Sequence, residues 1–410
     1  MTSTVALAAR KDEAADRFAR SGVPHRRIEA WHYTDLRAAL DADMPPAAPY
    51  GGPLLRQSDP FAGIEADTLV FANGFYRPEL STLPREAAIE VVALDGSAPD
   101  WARAAVNAAP HGAVPMADLA LARMAGGVAI RVSHNFKAAR PIHLTFAGKS
   151  DAPAARHSRI VVVLGTDAAL TLLESHDASG APGLANLAFD LRLAANATLT
   201  HLKIAGGAAG ETHIATVLAD IHANALYDVA VVAGEGALAR HEIHAALTQR
   251  MARVRLTALS LLKEGQHADV TAVIDHAVRD GKSDLAFKSV LAGKSRSVAQ
   301  GRILVRPGAD GTDSKQSTRA LLLGKGAEAD AKPELEIHAE DVVCGHGAAI
   351  GDLDANALFY LRARGIPERE ARAMLTEAFL QEGLERLPGT PAADAMRAFV
   401  LMRLQNLEAA

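Results

Sequence analysis

The 410-residue sequence contains only one cysteine, Cys344. A single thiol excludes a disulfide within the chain and excludes a closed all-thiolate metal site built from one chain. A lone cysteine is typical of a protein from a reducing compartment. Aromatic residues make up only 4% of the chain, which disfavours the stacking platforms on which proteins hold bases or sugars.

Strong charge of one sign and long apolar runs are lacking as well. The net charge of −5 gives no basic excess of the kind that a nucleic-acid binder shows. No stretch approaches the roughly 18 apolar residues that cross a bilayer, and the N-terminal segment has no apolar core of a secretory signal. We therefore expect a cytoplasmic protein that binds neither nucleic acid nor a membrane.

Phosphate-binding loops are also missing. The tripeptide Gly-Lys-Ser occurs at residues 281–283 and 293–295, but a P-loop needs another glycine five residues earlier, where this chain has His276 and Lys288. We expect this chain to bind no nucleotide.

What the sequence does contain is a long series of strand-like segments. From about residue 127 to residue 351, short apolar runs with period-two alternation follow one another, separated by small turn residues. No helical periodicity intervenes before about residue 352. A large β-sandwich or barrel and a β-solenoid are the two architectures that hold so many short strands.

A loose repeat favours the solenoid. A turn residue precedes an Ala-x-Leu or Ala-x-Val step in the segments GTDAALTL, AANATLTHL, HANALYDV and GQHADVTAV, and the first three recur at a spacing of about 28 residues. A coil of that length buries its faces only by stacking on neighbouring coils. The repeat is degenerate, so the pattern alone leaves both architectures open.

After residue 352 the sequence predicts helices. Asp352 and Asp354 can cap a first helix that ends at Gly365, and Pro367 can start a second. Two interpretations stay open for these helices. They pack on the end of the solenoid and cap its open edge, they form a docking surface for a partner, or they do both.

The lone cysteine is followed two residues later by His346. On a strand these side chains share a face, so both could bind one metal ion, although two ligands are too few for a stable site. Cys344 could instead be a nucleophile, which would need a base and an orienting group, or an inert buried thiol. A β-solenoid carbohydrate-active enzyme is the alternative function, but no acid/base pair of carboxylates is recognisable.

Residues 312–375 closely resemble the C-terminal core of the SufB/SufD family of iron–sulfur cluster assembly proteins. The resemblance is carried by Gln316 before the leucines 321–323, KPELEI at 332–337, DVVCGHG at 341–347 and LFYLRARGI at 358–366. The N-terminal segment RRIEAWHYTDL at 26–36 resembles the SufD branch. The length and the single cysteine point to that branch too.

The resemblance implies a mainly β fold: a right-handed parallel β-helix flanked by N-terminal and C-terminal helical domains. We expect a mixed, largely helical domain at residues 1–118, the β-helix core at 119–351 and a helical domain at 352–410. The implied function is that of a non-catalytic subunit, and not an enzyme, in a SufB–SufC–SufD scaffold complex that supports cluster formation and iron acquisition.

The resemblance also implies partners and site residues. A SufB-like paralogue would pair through the β-helix, and the isolated chain could form a homodimer. Cys344 and His346 would hold iron or a nascent iron–sulfur cluster, transiently and shared with SufB, with His346 the better candidate. A SufC-like ATPase would dock on the C-terminal helices, through Leu358, Phe359, Tyr360, Leu361, Arg364 and Phe379.

Overall fold

The computed structural model of the chain describes residues 6–40, 44–54, 59–107, 111–205, 207 and 209–408. Its helices fall into an N-terminal and a C-terminal group. They are α1 (Leu7–Ser21), α2 (Leu36–Ala39), α3 (Asp100–Ala105) and α4 (Pro115–Ala122), then α5 (Ala355–Ala363), α6 (Glu368–Leu384) and α7 (Pro391–Glu408). None of the helices described has the length and apolar character that a membrane crossing requires.

The strands run almost without interruption between the two groups of helices. In chain order they are β1 (Asp67–Ala72), β2 (Phe75–Tyr76), β3 (Ile89–Ala93), β4 (Gly126–Val132), β5 (Ile142–Ser150), β6 (Ala155–Leu164), β7 (Ala169–Gly180), β8 (Leu184–Leu193), β9 (Thr198–Ala205), β10 (Thr212–Ile221), β11 (Leu226–Ala233), β12 (Leu238–Leu247), β13 (Arg253–Leu262), β14 (His267–His276), β15 (Lys282–Leu291), β16 (Arg296–Val305), β17 (Asp313–Leu322), β18 (Glu328–Ile337) and β19 (Val343–Gly351).

From β4 onward, consecutive strands alternate between two sheets. The odd sheet has the order β19-β17-β15-β13-β11-β9-β7-β5-β1-β2, and the even sheet has the order β18-β16-β14-β12-β10-β8-β6-β4-β3. From β4 onward each strand pairs in parallel with the strand two places along the chain. Two strands thus make one turn, and about eight turns stack into a parallel β-solenoid, which confirms the predicted mainly β solenoid.

The repeat found in the sequence marks one corner of the solenoid. Asp167, Asn196 and Asn224 have φ angles of 59°, 61° and 56°, a left-handed conformation that Asn and Asp tolerate better than most residues. The corners stack, since Asp167 N donates to Ala195 O at 2.9 Å and Asn196 N donates to Ala223 O at 2.8 Å. These corners precede β7, β9 and β11, whereas the fourth segment precedes β14 in the even sheet, which explains its irregular spacing.

The inward faces of the two sheets form one apolar core along the solenoid. Phe189 and Leu191 of β8 and Tyr227 of β11 are among its fully or almost fully buried members. Their outward neighbour Asp190 is also buried, because helices α3 and α4 cover this face of the even sheet. There the buried guanidinium of Arg159 donates to Asp190 Oδ2 at 2.6 Å.

The N-terminal segment that resembles the SufD branch is anchored on the even sheet. Trp31 is 2% exposed and lies under the guanidinium of Arg240, 3.8 Å from its ring centre. Thr34 donates to Asp269 Oδ2 at 2.5 Å, and Arg240 forms ion pairs with both Glu242 and Asp269. The segment is therefore held by buried charge on β12 and β14.

The N-terminal region also contributes strands to the solenoid. β1 pairs in parallel with β5 and extends the odd sheet, while β3 pairs antiparallel with β4 and extends the even sheet. The strands before residue 118 are thus hydrogen-bonded to strands after it. The predicted domain boundaries at residues 118 and 351 stay a prediction.

For α6 and α7, the interpretation that the C-terminal helices cap the end of the solenoid was wrong. α6 and α7 lie on the outer face of the odd sheet, against β9, β13 and β15. Leu384 and Met396 of the helices pack there with Leu202 and Leu259 of the sheet. The physical reason is that this outer face is apolar along several strands. The open end offers one strand of small residues, β19, beside the charged β18.

Candidate functional site

Cys344 and His346 lie on β19, the last strand of the odd sheet. Among the described residues β19 pairs with β17 alone, in a register that sets Cys344 beside Ser314 and His346 beside Gln316. Ser314 and Gln316 are buried and face the interior of the solenoid. The register therefore places Cys344 and His346 on the same inward face, at the open end of the solenoid.

The thiol and the imidazole differ in exposure. Cys344 is half-buried and packs against the apolar core, whereas His346 is exposed. Burial raises the pKa of the Cys344 thiol; a backbone hydrogen bond to Ser314 opposes this and the charge of Asp313 adds to it. A protonated thiol is a poor nucleophile and a poor ligand. The nucleophile interpretation is thus disfavoured for the chain alone.

The metal interpretation remains short of ligands within this chain. Across the residues that the structure describes, no third His, Cys, Asp or Glu side chain joins Cys344 and His346 within ligand distance. Any ion held here would need donors from another chain.

Gln316, directly beside His346, is a polar residue to which the sequence assigned no role. Its side chain is 4% exposed, and neither its oxygen nor its nitrogen has a hydrogen-bond partner among the described residues. It fits because position 301 is a glycine: a Cβ there would lie 2.4 Å from Gln316 Oε1. The signal that could have identified it is a polar residue within the alternation of Ser314, Gln316 and Thr318, since Gln316 is in register with Leu285 of β15 and Leu256 of β13.

The two edge strands differ in composition. β18 carries Lys332, Pro333 and three glutamates, which are residues that protect a free edge against pairing. β19, with the sequence VCGHGAAIG, carries no Asp, Glu, Lys or Arg and no proline. A Cβ added at Gly345 or Gly347 would contact nothing within 4 Å, so packing inside this chain does not require either glycine. β19 is a flat and unprotected edge.

Four of the six candidate docking residues lie together on α5, which follows β19 directly, and a fifth, Arg364, is the C-cap residue of that helix. Asp354 caps this helix by accepting hydrogen bonds from the backbone of residues 356 and 357. Phe359 and Tyr360 are 73% and 57% exposed. Arg364 lies over the Tyr360 ring and donates to its hydroxyl at 3.0 Å, while Leu358 and Leu361 are half-buried.

Phe379, the sixth candidate, lies on α6. It is half-buried and packs against the odd sheet. The Lys288 ammonium lies 4.3 Å from the centre of its ring and donates to the Phe379 carbonyl at 2.7 Å. The structure therefore gives Phe379 a packing role within the chain.

Comparison with known proteins identifies the family of most of the solenoid and of the first C-terminal helices. The family model "SUF system FeS cluster assembly, SufBD core domain" matches residues 146–379, which include β19, α5 and most of α6. The matched part covers more than half of the sequence.

Individual relatives match over nearly the whole chain. The iron–sulfur cluster assembly protein SufD of Escherichia coli is 30% identical over 396 residues, which are 90% of each chain. A SufBD family protein of Synechocystis is 29% identical over 413 residues, covering 97% of this chain and 91% of the relative. A chloroplastic protein of Arabidopsis thaliana, ABCI7, is 33% identical over 208 residues, covering 50% of this chain and 43% of the relative.

Proposed function

Because this chain belongs to the SufBD family of the SUF iron–sulfur cluster assembly system, we propose that it is a non-catalytic subunit of a SufB–SufC–SufD scaffold complex. In that complex it supports cluster formation and iron acquisition at its interface with a SufB-like partner. The iron or nascent cluster is cargo that both subunits hold transiently.

One observation carries this proposal: the unprotected edge strand β19 bears Cys344 and His346. A free edge of this kind pairs with a strand of another chain, and main-chain hydrogen bonds then extend the sheet. A SufB-like solenoid that adds its own strand would bring its side chains onto the inward face beside Cys344 and His346. The missing ligands would come from that partner.

The chemistry of the two residues suits iron. An imidazole nitrogen ligates iron in its neutral form, and a thiolate ligates iron or carries sulfur. The raised pKa of Cys344 keeps the thiol protonated in the chain alone. A cation at the interface favours the thiolate, so the thiol becomes a ligand only where the cargo is present.

The role of the pair is tested by His346→Ala and Cys344→Ser in the reconstituted three-subunit complex. We expect intact complexes that form several-fold fewer clusters, measured as the visible absorption of the cluster after anaerobic reconstitution. His338→Ala is the matched control, because His338 is an exposed histidine that follows β18. Normal cluster yield in the His346→Ala complex would contradict the assignment.

Pairing through β19 is tested by Ala348→Pro. Val343 N donates to Thr312 O, on the β17 side of the strand, at 2.8 Å. Because the direction of the backbone N–H alternates along a strand, the N–H of Ala348, five residues later, points away from β17. Proline removes that outward donor without breaking the β17 ladder. We expect loss of the SufB-like partner on copurification and loss of any homodimer on gel filtration, whereas Ala348→Gly should retain both. Undiminished pairing of the Ala348→Pro chain would rule out β19 as the interface.

The docking surface for a SufC-like ATPase is proposed to be the exposed face of α5. Phe359→Glu should abolish copurification of the ATPase, because it places a charge in the centre of the apolar surface formed with Tyr360 and Leu361. Met402→Glu on α7 is the matched control, since Met402 is also exposed, at 47%. Equal recovery of the ATPase with both variants would show that α5 is not the docking site.

A further inference from the structure

A cluster of ionisable side chains lies inside the solenoid, far from β19. Along β7 the inward-facing residues are Leu170, Leu172, Glu174 and then His176, so that polar groups replace leucines on the core face. The neighbouring strands add further inward polar residues. These are His201 and Lys203 of β9, His213 of β10 and His241 of β12.

Glu174 is the centre of the cluster and is fully buried. Its carboxylate accepts hydrogen bonds from Lys203 Nζ at 2.7 Å, from His176 Nε2 at 2.6 Å and from His201 Nε2 at 3.0 Å. Burial alone would raise the pKa of Glu174, but Lys203 and the two histidines outweigh it and hold that pKa well below its ordinary value. The carboxylate is thus ionised inside the core.

His213 has no such partners. It is 1% exposed, and neither of its ring nitrogens has a hydrogen-bond partner among the described residues. Its ring meets that of His176 edge to face, with 4.4 Å between the centres. Buried polar atoms without partners are rare in folded proteins because each one loses its hydration without compensation. The unpartnered imidazole indicates a ligand that binds between these rings.

We propose that Glu174, His176 and His213 bind a divalent first-row transition metal ion of the Fe²⁺ to Zn²⁺ group. One potential ligand atom from each residue lies within 4.8 Å of the others. Two imidazoles and one carboxylate are a ligand set that proteins use for Fe²⁺ and for Zn²⁺. His241 on the next turn is also buried with both ring nitrogens unpartnered among the described residues, but it is in register with Ala215 and is not part of this three-residue group.

Lys203 competes with an ion for Glu174, because its ammonium donates to the Glu174 carboxylate at 2.7 Å. Removing the positive charge of Lys203 should therefore strengthen metal binding.

His176 connects the cluster to the surface. Its ring stacks on Phe146, with 4.9 Å between the centres, and lines a surface pocket together with the Arg156–Glu211 ion pair. An ion can therefore reach the ligands through this pocket without passing along the core.

The test is titration of the purified full-length chain with Co²⁺, whose visible absorption reports its ligands. We expect one bound ion per chain, at least ten-fold weaker binding in His213→Leu and Glu174→Gln, and tighter binding in Lys203→Met. His213→Cys should add an intense sulfur-to-cobalt charge-transfer band, a gain of signal that a merely damaged fold cannot produce. His222→Ala should bind Co²⁺ normally, because His222 follows β10 at a corner of the solenoid and pairs with Asp220.

Two results would overturn the proposal. One is unchanged Co²⁺ binding in both His213→Leu and Glu174→Gln, and the other is a His213→Cys chain, folded by circular dichroism, without the new band. The proposal does not rest on the interface role of Cys344 and His346. His346→Ala should leave Co²⁺ binding at the interior site intact, so failure of one assignment is distinguishable from failure of the other.

Discussion

The interior of the solenoid at β7 and its open end at β19 present polar side chains from the same face of the same sheet, but in opposite surroundings. Glu174 is fully enclosed by the turns on either side, whereas His346 is exposed because no turn follows β19. The fold fixes the direction of both side chains equally. What differs is whether the partners of each group come from this chain or from another one.

That difference has an energetic consequence. A buried charge must be paired within the fold, so removing its partner destabilises the chain itself. An exposed group at an edge contributes little to the stability of its own chain. Substitutions inside should therefore change folding, and substitutions at the edge should change only association.

The largest effect is expected from Glu174→Leu, which leaves the fully buried Lys203 without its carboxylate. We expect the free energy of unfolding to fall by about 3–5 kcal/mol, measured by urea denaturation followed by circular dichroism. The double variant Glu174→Leu with Lys203→Met should regain most of the loss. Glu334→Gln on the edge strand β18 should change stability by about 0.5 kcal/mol or less. Equal losses for Glu174→Leu and Glu334→Gln would abolish the contrast between interior and edge.

A second comparison concerns the C-terminal helices. Met396 of α7 is fully buried against the odd sheet, so Met396→Ala should cost about 2–5 kcal/mol of stability. Phe359→Ala on the exposed face of α5 should cost about 0.5 kcal/mol or less. Thermal unfolding of the two variants measures both. A large loss for Phe359→Ala would mean that α5 packs within the chain.

A third test uses pH. Burial lowers the pKa of His157 and of His276 to about 4 each. The unfolded chain then binds more protons than the folded chain between about pH 6.5 and 4, so stability falls as the pH drops through that range. Each histidine contributes a slope of up to about 1.4 kcal/mol per pH unit.

Urea midpoints at pH 7 and pH 5 measure that slope. His276→Asn should reduce it, and His338→Asn, at an exposed position, serves as the control. A slope that His276→Asn does not alter would show that folding does not lower the pKa of this histidine.

The smallest effect concerns the thiol. Because burial raises the pKa of Cys344, alkylation of the isolated chain by iodoacetamide at pH 7 should be slower than that of a free thiol and should accelerate as the pH rises. Cys344 is the only cysteine, so the rate of labelling, measured by mass spectrometry, reports this site alone. Labelling as fast as that of a free thiol would mean that the edge leaves the sulfur open to solvent.

Much of the fold could be predicted from local patterns. Strand alternation and the repeated corner are properties of short segments: alternation predicted a large, mainly β fold, and the repeat favoured a solenoid over a sandwich or barrel. The same-face arrangement of Cys344 and His346 follows from their spacing on any strand.

The positions of the helices and of the interior cluster could not be predicted in this way. In β9, Leu202 faces outward beneath α7, whereas His201 and Lys203 face the core. Alternation shows that these residues lie on opposite faces but does not show which face is inside, because both faces of the odd sheet are covered. Which face lies inside is determined only when the two sheets and the C-terminal helices pack together.

The parallel register of the odd sheet also fixes a distance. Six strand spacings separate β7 from β19, which places about 29 Å between them along the solenoid. No single ion or small cluster spans that length, and the core between the two positions is lined by apolar side chains. If the interior and the edge both take up metal as proposed, each position should be loaded separately, and the two occupancies should be counted as independent stoichiometries.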